Sequence, residues 1–594
     1  MRPDTAPGAT PIQNAIDLAQ PGDLILVAPG NYEEMVVMWK PVRLQGWGAG
    51  STIINAISPP AEKLRRWREK VAGLVSRGSI DLLPGQAAGP FDPANNEPAL
   101  FNTEEGPAIL VAAKNVAPNQ GGFGPNRPAR IDGFTITGAS HGGGIFVNGY
   151  AHYLEINNNR VIGNYGTYGG GIRLGHPYLT TNAAGTPDYV SAQNDHVRIR
   201  YNHIAQNGGN GGAGGGISVC NGSNNYLIFA NYICGNFTMG DGGGIGHLGL
   251  SHLGEISWNW IVFNQSFNQG MGVSGGGITV QGNAPLAVNG LSPGSGSVGI
   301  LSNLIQGNLA GAGDGGGIRT AFTSGRDVAL SPNDRNLWYN IEIYNNFIVN
   351  NVAGLAGGGI SMQDSARISI TSNSITNNDS TATAGEAFRN GPSQSVSQVA
   401  GIVSRTHSPA LAAAFGTSAS VRPYAVFSNP TLYNSIVWHN RSFYWDVTTN
   451  AGTGGLLPAP ATPVFSDLAV LGAAQPARLD PRYCNLTDRT GYHSSNISAQ
   501  PAFVSEYFNG GRGQLVIPEV TTGIESAPAF DEGGNFIDVR FGPLTRWNPA
   551  TGVLFGDYRL TRLSELTDRG APGSPGAMDI GADEFTKKNV GAKQ

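Results

Sequence analysis

Isoleucine recurs along this chain at fixed offsets from asparagine, and the spacing predicts short strands. Seven phrases of the form Asn-x-(Ile/Val)-x-x-Asn occur between residues 159 and 378, and an isoleucine stands three residues before each one. β-Branched residues at such offsets suit the pleated, half-buried surface of a strand. Between residues 140 and 380 no run has the 3.6-residue period of an amphipathic helix. The pattern therefore predicts β structure along this part of the chain.

A Gly-Gly-Gly-Ile phrase precedes every asparagine phrase and gives the length of the repeat. Where no insertion intervenes, one such isoleucine follows another after 27 or 28 residues. A period of this length is typical of a solenoid, in which each coil here would contribute about three short strands. The isoleucines that mark the coils are Ile145, Ile172, Ile217, Ile245, Ile278, Ile318 and Ile360.

The second asparagine of each phrase fits a turn between strands. Asparagine tolerates left-handed backbone, and its side-chain amide can hydrogen-bond to the next coil. We therefore predict a ladder of stacked asparagines, with an architectural and not a catalytic role. Its members are Asn164, Asn207, Asn236, Asn264, Asn308, Asn351 and Asn378.

The chain divides by pattern into four parts. Residues 1–58 are predicted to hold the first coils and an N-terminal helical cap, because Thr10-Pro11 precedes apolar residues at helical spacing. Residues 59–107 interrupt the strands with a charged helical stretch and a Pro/Gly/Asn-rich tail, and we interpret them as an insertion. The regular coils extend over 108–405, and residues 406–594 are predicted to be degenerate coils and a C-terminal cap.

The composition argues against two classes of protein, those that bind nucleic acid and those that span a membrane. Glycine accounts for 87 of 594 residues, as tight corners between short strands require. The net charge is −5 and there is no basic stripe, which argues against a nucleic-acid partner. No run of 18 apolar residues occurs, so we expect no membrane-spanning segment. The three cysteines cannot all pair within one chain, and we expect no disulfide between Cys220 and Cys234.

These features together resemble the right-handed parallel β-helix proteins of the pectin-lyase-like superfamily, in particular bacterial secreted or surface members. The resemblance rests on the coils, on the opening Ile12-Gln-Asn-Ala-Ile-Asp and Val27-Ala-Pro-Gly-Asn-Tyr-Glu, and on the closing Asp557-Tyr-Arg-Leu and Asp579-Ile-Gly-Ala-Asp-Glu-Phe. It implies an all-β, right-handed solenoid and export or display at the cell surface. The first residues of the sequence show no signal-peptide core.

The chain departs from the catalytic signatures of that superfamily. It lacks the Asn-Thr-Asp, Asp-Asp and Gly-His-Gly set that the resemblance to polygalacturonase-like hydrolases would require, and it lacks the Asp-Pro-His-Glu of the alginate epimerases. No lysine occurs between Lys114 and Lys587, which disfavours a lyase with a lysine base. The fold is therefore specified more strongly than the function.

Alternation along the strand after each Gly-Gly-Gly assigns side chains to the inside or the outside. If the isoleucine points inward, the next residue points outward, and we expect Arg173 and Arg319 to lie on a solvent-facing stripe. There they would bind acidic sugar or remain solvated. The residue after that points inward, so His247 is predicted to be an interior side chain with its hydrogen bonds satisfied. Asp241 and Asp314 precede glycines and fit turns.

Three long insertions follow Ile172, Ile278 and Ile318, and function in repeat proteins tends to map to such loops. Aromatic residues beside Asp and Arg would suit stacking on a glycan and hydrogen bonding to it. The candidate binding residues are Arg173, His176, Tyr178, Arg326, Asp327 and Trp338. The weaker catalytic candidates are Asp188, Asp195, His196, Asp314 and Arg319.

Acidic side chains close to the C-terminus form a candidate Ca²⁺ site. Asp579, Asp583 and Glu584 would supply oxygen ligands together with backbone carbonyls. A capping turn is the alternative interpretation. We expect no other cofactor.

The sequence supports a β-helix protein at the cell surface or outside the cell that binds polysaccharide or serves as a structural or adhesive module. The alternative is a polysaccharide lyase or glycoside hydrolase with a non-standard active site along the loop-bearing edge. A third hypothesis is a piece of a larger adhesin or fibre. The glycan and the oligomeric state are left open.

Overall fold

The computed structural model describes residues 8–86, 105–117, 120–182, 185–268, 270–389, 391–452, 454–458, 465–507, 556–572 and 579–582. The chain forms two compact units. Unit 1 comprises residues 1–260 and 279–298, and unit 2 comprises residues 261–278 and 299–594. The chain passes between the units within the strands Trp260–Val262, Ile278–Gln281 and Val298–Leu301.

Unit 1 is built from short strands that recur in the same order in successive coils. We name the resulting parallel sheets walls A, B, C and D in the order in which a coil visits them, so that wall D follows the triple glycine. Wall A contains Leu24–Val27, Arg43–Gly46, Arg130–Asp132, Glu155–Asn157, Arg198–Arg200, Leu227–Phe229 and Gly254–Ser257. Wall B contains Gly30–Tyr32, Thr52–Asn55, Thr135–Thr137, Arg160–Ile162, His203–Ala205 and Tyr232–Cys234, and the strand that begins at Trp260 continues it. Wall C contains Tyr165–Gly166, Gly208–Gly209 and Phe237–Thr238, and wall D contains Val36–Met38, Ile109–Val111, Ile145–Val147, Ile172–Leu174, Ile217–Val219 and Ile245–Leu248.

Unit 2 repeats the same four walls. Wall A contains Ile341–Tyr344, Ile368–Thr371 and Thr431–Tyr433. Wall B contains Leu304–Gln306, Phe347–Val349, Ser374–Thr376, Ile436–Trp438 and Asn485–Leu486. Wall C contains Gln265–Ser266, Leu309–Ala310, Val352–Ala353, Asp379–Ser380 and Arg441–Asp446, with Gly455–Pro458 added antiparallel. Wall D contains Ile318–Ala321, Ile360–Gln363, Ile402–Arg405 and Leu468–Leu471. Each unit is thus a stack of parallel strands of the kind that builds a parallel β-helix.

Like residues stack on like inside each unit, as the repeat predicts. Ile156 pairs with Ile199, which pairs with Ile228, and all three are buried. Full burial of such a side chain contributes about 1.5–3 kcal/mol relative to its exposure to water. The core therefore consists of files of isoleucine that run from coil to coil.

Asparagine ladders bind successive coils together, which confirms the predicted ladder at the second asparagine of each phrase. In unit 2 the amide of Asn351 donates to Ile305 O (2.9 Å) and to Asn378 Oδ1 (3.0 Å). Its Oδ1 accepts from the backbone N–H of Asn308 at 3.0 Å. The first asparagine of each phrase forms a second ladder that was not predicted. In unit 1 it comprises Asn159, Asn202, Asn231 and Asn259.

The prediction that the residue after each wall D isoleucine faces solvent is wrong. Arg173 is 2% exposed and Arg319 is 8% exposed. The chain entering each triple glycine folds back over this side of the strand, and a Cβ at Gly315 would lie only 3.0 Å from the Cβ of Arg319. Strand alternation gives the direction of a side chain but not what covers it. The other buried members of the stripe are Phe146, Ser218, Gly246, Thr279 and Ser361.

His247 is an interior side chain with its hydrogen bonds satisfied, as predicted. Its Nε2 lies 2.8 Å from Gly249 O and 3.0 Å from Ser295 O, and its Nδ1 lies 2.9 Å from the Tyr226 hydroxyl. Burial lowers the pKa of His247 to about 4, so the ring is neutral at pH 7. It serves the packing of unit 1.

Few helices occur. Helix α1 spans Pro11–Leu18, and its first N–H groups donate to the buried Glu34 carboxylate, at 2.9 Å from Ile12 and 3.0 Å from Gln13. Helix α2 spans Ala61–Ser76. In unit 2, α3 spans Arg326–Leu330 and α4 spans Pro409–Ala414. Short 3-10 turns lie at Arg335–Leu337, Gly385–Phe388, Arg422–Tyr424 and Asn450–Gly452.

A C-terminal strap covers wall B of unit 2. We define it as residues 503–507, 557–566 and 579–582, with the antiparallel strands Phe503–Ser505 and Asp557–Leu560. Tyr507 and Tyr558 pack on Phe347. The backbone N–H of Ala582 donates to the hydroxyl of Ser374 at 3.0 Å. The outer face of this wall is thereby enclosed by the chain itself.

Two further expectations concern membranes and thiols. Across the described residues, no helix is both long and apolar enough to span a membrane. Cys220 and Cys234 are not joined by a disulfide.

We predict that Asn351→Ala lowers the free energy of unfolding by about 3 kcal/mol, because each buried polar group that loses its partner costs on the order of 1–3 kcal/mol. The N–H of Asn308 loses its partner, and the carbonyl of Ile305 and the Oδ1 of Asn378 each lose one hydrogen bond. The Oδ1 of Asn378 keeps the backbone N–H of residue 351. Urea unfolding followed by circular dichroism measures the change. Asn336→Ala, at an exposed position in the same unit, is the matched control. Equal shifts of the two midpoints would contradict the structural role of the ladder.

Candidate functional site

The first insertion of unit 1 folds against the second. Between the strands Ile172–Leu174 and Arg198–Arg200 it forms a hairpin of Thr180–Thr181 with Asp188–Tyr189. The hydroxyl of Tyr189 donates to Ala284 O at 2.9 Å, and the amide of Asn283 donates to Pro177 O at 2.9 Å. The two loops therefore form one layer beside wall D.

Arg173, His176 and Tyr178 come together under this layer. The guanidinium carbon of Arg173 lies 3.6 Å from the centre of the Phe146 ring. Tyr168 completes the cluster, with ring centroids 5.0 Å from His176 and 5.6 Å from Tyr178. Three predicted binding residues are thus neighbours, and Tyr168 was not foreseen because it lies before the triple glycine.

The surroundings of His176 and Tyr178 favour the neutral form of each side chain. Burial and the nearby charge of Arg173 hold the pKa of His176 well below its usual range. Burial and the Asp241 carboxylate raise the pKa of Tyr178 to about 12. His176 Nδ1 accepts the backbone N–H of Tyr178 at 3.2 Å, which fixes the loop. Because Arg173 and His176 are each 2% exposed, a ligand has no access to them in this structure.

The remaining candidates of the first insertion lie apart from that cluster. Asp195 accepts two hydrogen bonds from Asn224, at 3.0 Å from its backbone N–H and 2.9 Å from its side chain. Asp195 also lies 3.5 Å from His152 Nδ1. His196 stacks on Tyr153 with ring centroids 4.5 Å apart. Asp188 is exposed at the hairpin, so these residues form no shared centre.

In unit 2, Asp314 and Arg319 meet in a buried ionic cluster. Arg405 Nε and Nη2 donate to Asp314 Oδ2 at 2.5 Å and Oδ1 at 2.9 Å. Arg319 Nη1 lies 3.3 Å from Asp314 Oδ2 and 2.7 Å from the Ser361 hydroxyl. The Asp314 side chain is 5% exposed. Asp314 is therefore the shared anion of two arginines, where a simple turn was the expected role.

Asp314 stays ionised at this position. Burial alone would raise its pKa, but the hydrogen bonds from Arg405 and the charges of Arg319 and Arg405 outweigh burial. The pKa of Asp314 is consequently lowered below its ordinary value. A carboxyl group in this state cannot serve as a general acid near neutral pH.

In the third insertion, the predicted binding residues Asp327 and Trp338 stabilise the loop itself. Asp327 accepts the backbone N–H groups of Gly325 at 2.6 Å and Tyr339 at 2.8 Å. Trp338 is 2% exposed, donates from Nε1 to Ser331 O at 2.7 Å and packs edge-on against Phe415. The prediction that the Trp338 ring offers a surface for a sugar is wrong, because the segment 415–424 covers it. Arg326 lies exposed on α3.

Of the three candidate metal ligands near the C-terminus, the structure describes only Asp579. Asp579 is buried and accepts the backbone N–H of Asp568 at 2.8 Å, as in a capping turn. Asp583 and Glu584 lie outside the described residues. Within the part of the chain that the structure describes, no group of three or more His, Cys, Asp or Glu is placed to hold a metal ion.

An exposed aromatic strip lies on unit 1, along wall B and the turn that precedes it. His203 pairs in register with Tyr232, with ring centroids 5.3 Å apart. The ring centroids of Tyr232 and Trp260 are 6.2 Å apart. The backbone N–H of Trp260 donates to Asn231 O, in the preceding coil. Beside this file, Tyr201 and Phe229 contact edge to face at 5.7 Å. We define the aromatic strip as Tyr201, His203, Phe229, Tyr232, Trp258 and Trp260.

Three rings of the strip are open to solvent, and the other three, His203, Phe229 and Tyr232, are half-buried. Tyr201 is 56% exposed, Trp258 is 63% exposed and Trp260 is 46% exposed. Burial and the charge of Arg160 lower the pKa of His203, so its ring is neutral at pH 7. Exposed aromatic rings at this density mark binding surfaces on soluble proteins.

Sequence reasoning overlooked this strip although the sequence carries its signal. The rings occupy the variable positions around the first ladder asparagine, in Tyr201-Asn-His-Ile, Ala230-Asn-Tyr-Ile and Trp258-Asn-Trp-Ile. The invariant positions of the phrase predict the fold, whereas the aromatic residues lie at the variable positions between them. In unit 2 the corresponding positions include Leu304 and Phe347, which the C-terminal strap covers.

Comparison with known proteins adds no family. No protein-family model matches this chain, and no significant match is found among curated proteins or solved structures.

We predict that Asp314→Asn lowers the free energy of unfolding by about 3–5 kcal/mol at pH 7, because two buried arginines lose their counter-charge. The folded pKa of Asp314 lies below its unfolded value, so its contribution is complete above that value and is lost as the pH falls through the folded pKa. The difference between wild type and variant should therefore shrink below about pH 4.

Urea unfolding at a series of pH values provides the measurement for this prediction. Asp334→Asn is the matched control, because Asp334 is exposed in the same unit and asparagine can still accept the N–H of Asn336. A constant difference between wild type and Asp314→Asn from pH 7 down to pH 3 would contradict the assigned ionisation.

Proposed function

We propose that this protein is an exported, right-handed parallel β-helix of the pectin-lyase-like type that binds polysaccharide and serves as a surface or extracellular module. The single observation that carries the proposal is the aromatic strip of unit 1, where exposed and half-buried rings from three successive coils lie side by side. Aromatic side chains provide large, rigid, amphipathic contact surfaces at small entropic cost. The apolar C–H face of a sugar ring can pack against such a side chain.

Several features support the fold and location within this proposal. The stacked walls and asparagine ladders agree with the architecture that the sequence resemblance implies. Helix α1 lies on Leu24–Val27 and Val36–Met38, where it would cap the first coils. Export is inferred from the resemblance to secreted and surface members of the superfamily.

A polysaccharide lyase or glycoside hydrolase is the alternative, and one arrangement bears on it. Arg173, His176, Tyr178 and Tyr168 bring a cation, an imidazole and two phenols together beside the loop layer. A base must come within hydrogen-bond reach of the proton it abstracts. Because Arg173 and His176 are buried, neither side chain reaches a substrate, which disfavours the enzymatic alternative.

We predict that Trp260→Ala weakens retention on an immobilised polysaccharide about tenfold or more, because loss of a central aromatic contact costs ~1.4 kcal/mol or more. Affinity electrophoresis across a panel of plant, bacterial and animal polysaccharides gives the dissociation constants. Tyr165→Ala is the matched control, since Tyr165 is 41% exposed on wall C and outside the strip.

The same panel is assayed for reaction products. Retention that disappears in Trp260→Ala but not in Tyr165→Ala, with no new reducing ends and no unsaturated sugar, is the expected result. Product formation that depends on His176 would instead establish the enzymatic alternative. Retention that is equal in both variants would overturn the role of the strip.

A further inference from the structure

The rings of the aromatic strip are arranged so that a ligand in contact with all of them must cross the strands. His203, Tyr232 and Trp260 occupy equivalent positions on neighbouring parallel strands. Such strands lie roughly 4.8 Å apart, so the file of rings extends along the stack and not along any one strand. Tyr201 and Trp258 run beside it at the preceding turn. A long ligand is therefore directed parallel to the stacking axis.

The charges near the strip do not match a polyanion. Residues 227–234, the wall A and wall B part of one coil, read Leu-Ile-Phe-Ala-Asn-Tyr-Ile-Cys and carry no charge. The equivalent residues 254–262 of the next coil carry only Glu255. In the equivalent residues 198–205 of the preceding coil, Arg200 forms a salt bridge with Glu155 at 3.0 Å, and Arg198 pairs in register with Glu155. A polymer of uronic acids presents a carboxylate on every sugar. The exposed Arg160 adjoins His203 at one end of the file, but residues 227–234 and 254–262 offer such carboxylates no cation.

We propose that the aromatic strip binds an uncharged polysaccharide whose chain lies along the stack, across the coils 198–205, 227–234 and 254–262. This inference rests on the proposed function and adds the class and direction of the ligand. Sugar rings stack on His203, Tyr232 and Trp260, while Tyr201 and Trp258 flank the chain. Because stacking and not ion pairing supplies the affinity, binding is insensitive to salt.

The test compares neutral polymers with acidic ones. Dissociation constants for a β-glucan, a mannan and a xylan are measured beside those for polygalacturonate and alginate, at low and high sodium chloride concentration. We expect retention by at least one neutral polymer, with less than about a twofold change between the salt concentrations. We also expect affinity for its oligosaccharides to rise with length until the chain spans three coils.

Variants sharpen the assignment. Tyr232→Ala and Trp260→Ala should each weaken binding of the neutral polymer about tenfold or more. Tyr201→Asn tests the flanking position with a residue that tolerates the left-handed backbone at φ 57°. Glu255→Gln is the charge control and should leave neutral binding unchanged, whereas it would strengthen the binding of a polyanion.

The outcomes separate the inference from the function on which it rests. Binding only to acidic polymers, weakened by salt and by Trp260→Ala, would overturn the uncharged ligand while the proposed function stands. Retention on no polymer of the panel would overturn both. Self-association that Trp260→Ala abolishes in sedimentation experiments, without glycan binding, would reassign the strip to a contact between copies of the chain.

Discussion

The hydrogen bonds of buried turns constrain the whole structure. At the corners on either side of wall B, backbone N–H and C=O groups turn away from strand partners and from water, and they need partners of their own. The ladder asparagine supplies them, since Asn351 accepts an N–H from the preceding coil and donates to a carbonyl of that coil. Asn351 also donates to the next asparagine of the ladder. This works only when successive coils are in register, so the ladder fixes the register of the isoleucine files as well.

A fixed interior leaves the outer face of each wall free to vary, and the two units use that freedom differently. On wall B of unit 2 the outward positions carry Leu304 and Phe347, and the C-terminal strap covers them. The equivalent positions of unit 1 carry His203 and Tyr232, which stand at the surface. Among the described residues of unit 1, no strap covers the equivalent positions, and these side chains form part of the aromatic strip on which the proposed function rests.

The sequence predicted the interior well because the interior is periodic. The strands, the inward isoleucines and the asparagine ladder follow from spacing alone, since each coil meets the same neighbours. Burial of the outward stripe could not be predicted, because it depends on how closely the backbone at Gly315 folds over Arg319. The same limit applies to Trp338, which is covered by Phe415, a residue far along the chain. Alternation reports the direction of a side chain, whereas cover comes from tertiary contacts.

The state of the charged groups explains why a binding surface is better sought on the strip than among the arginines. Arg405 and Arg319 share the carboxylate of Asp314 in a buried setting. A ligand that recruited either guanidinium would leave buried charge uncompensated, at a cost of several kcal/mol. A sugar that stacks on the exposed part of the Trp260 ring breaks no ion pair. A ligand that used the arginines of wall D would have to break these stabilising ion pairs. A ligand on the aromatic strip would break none.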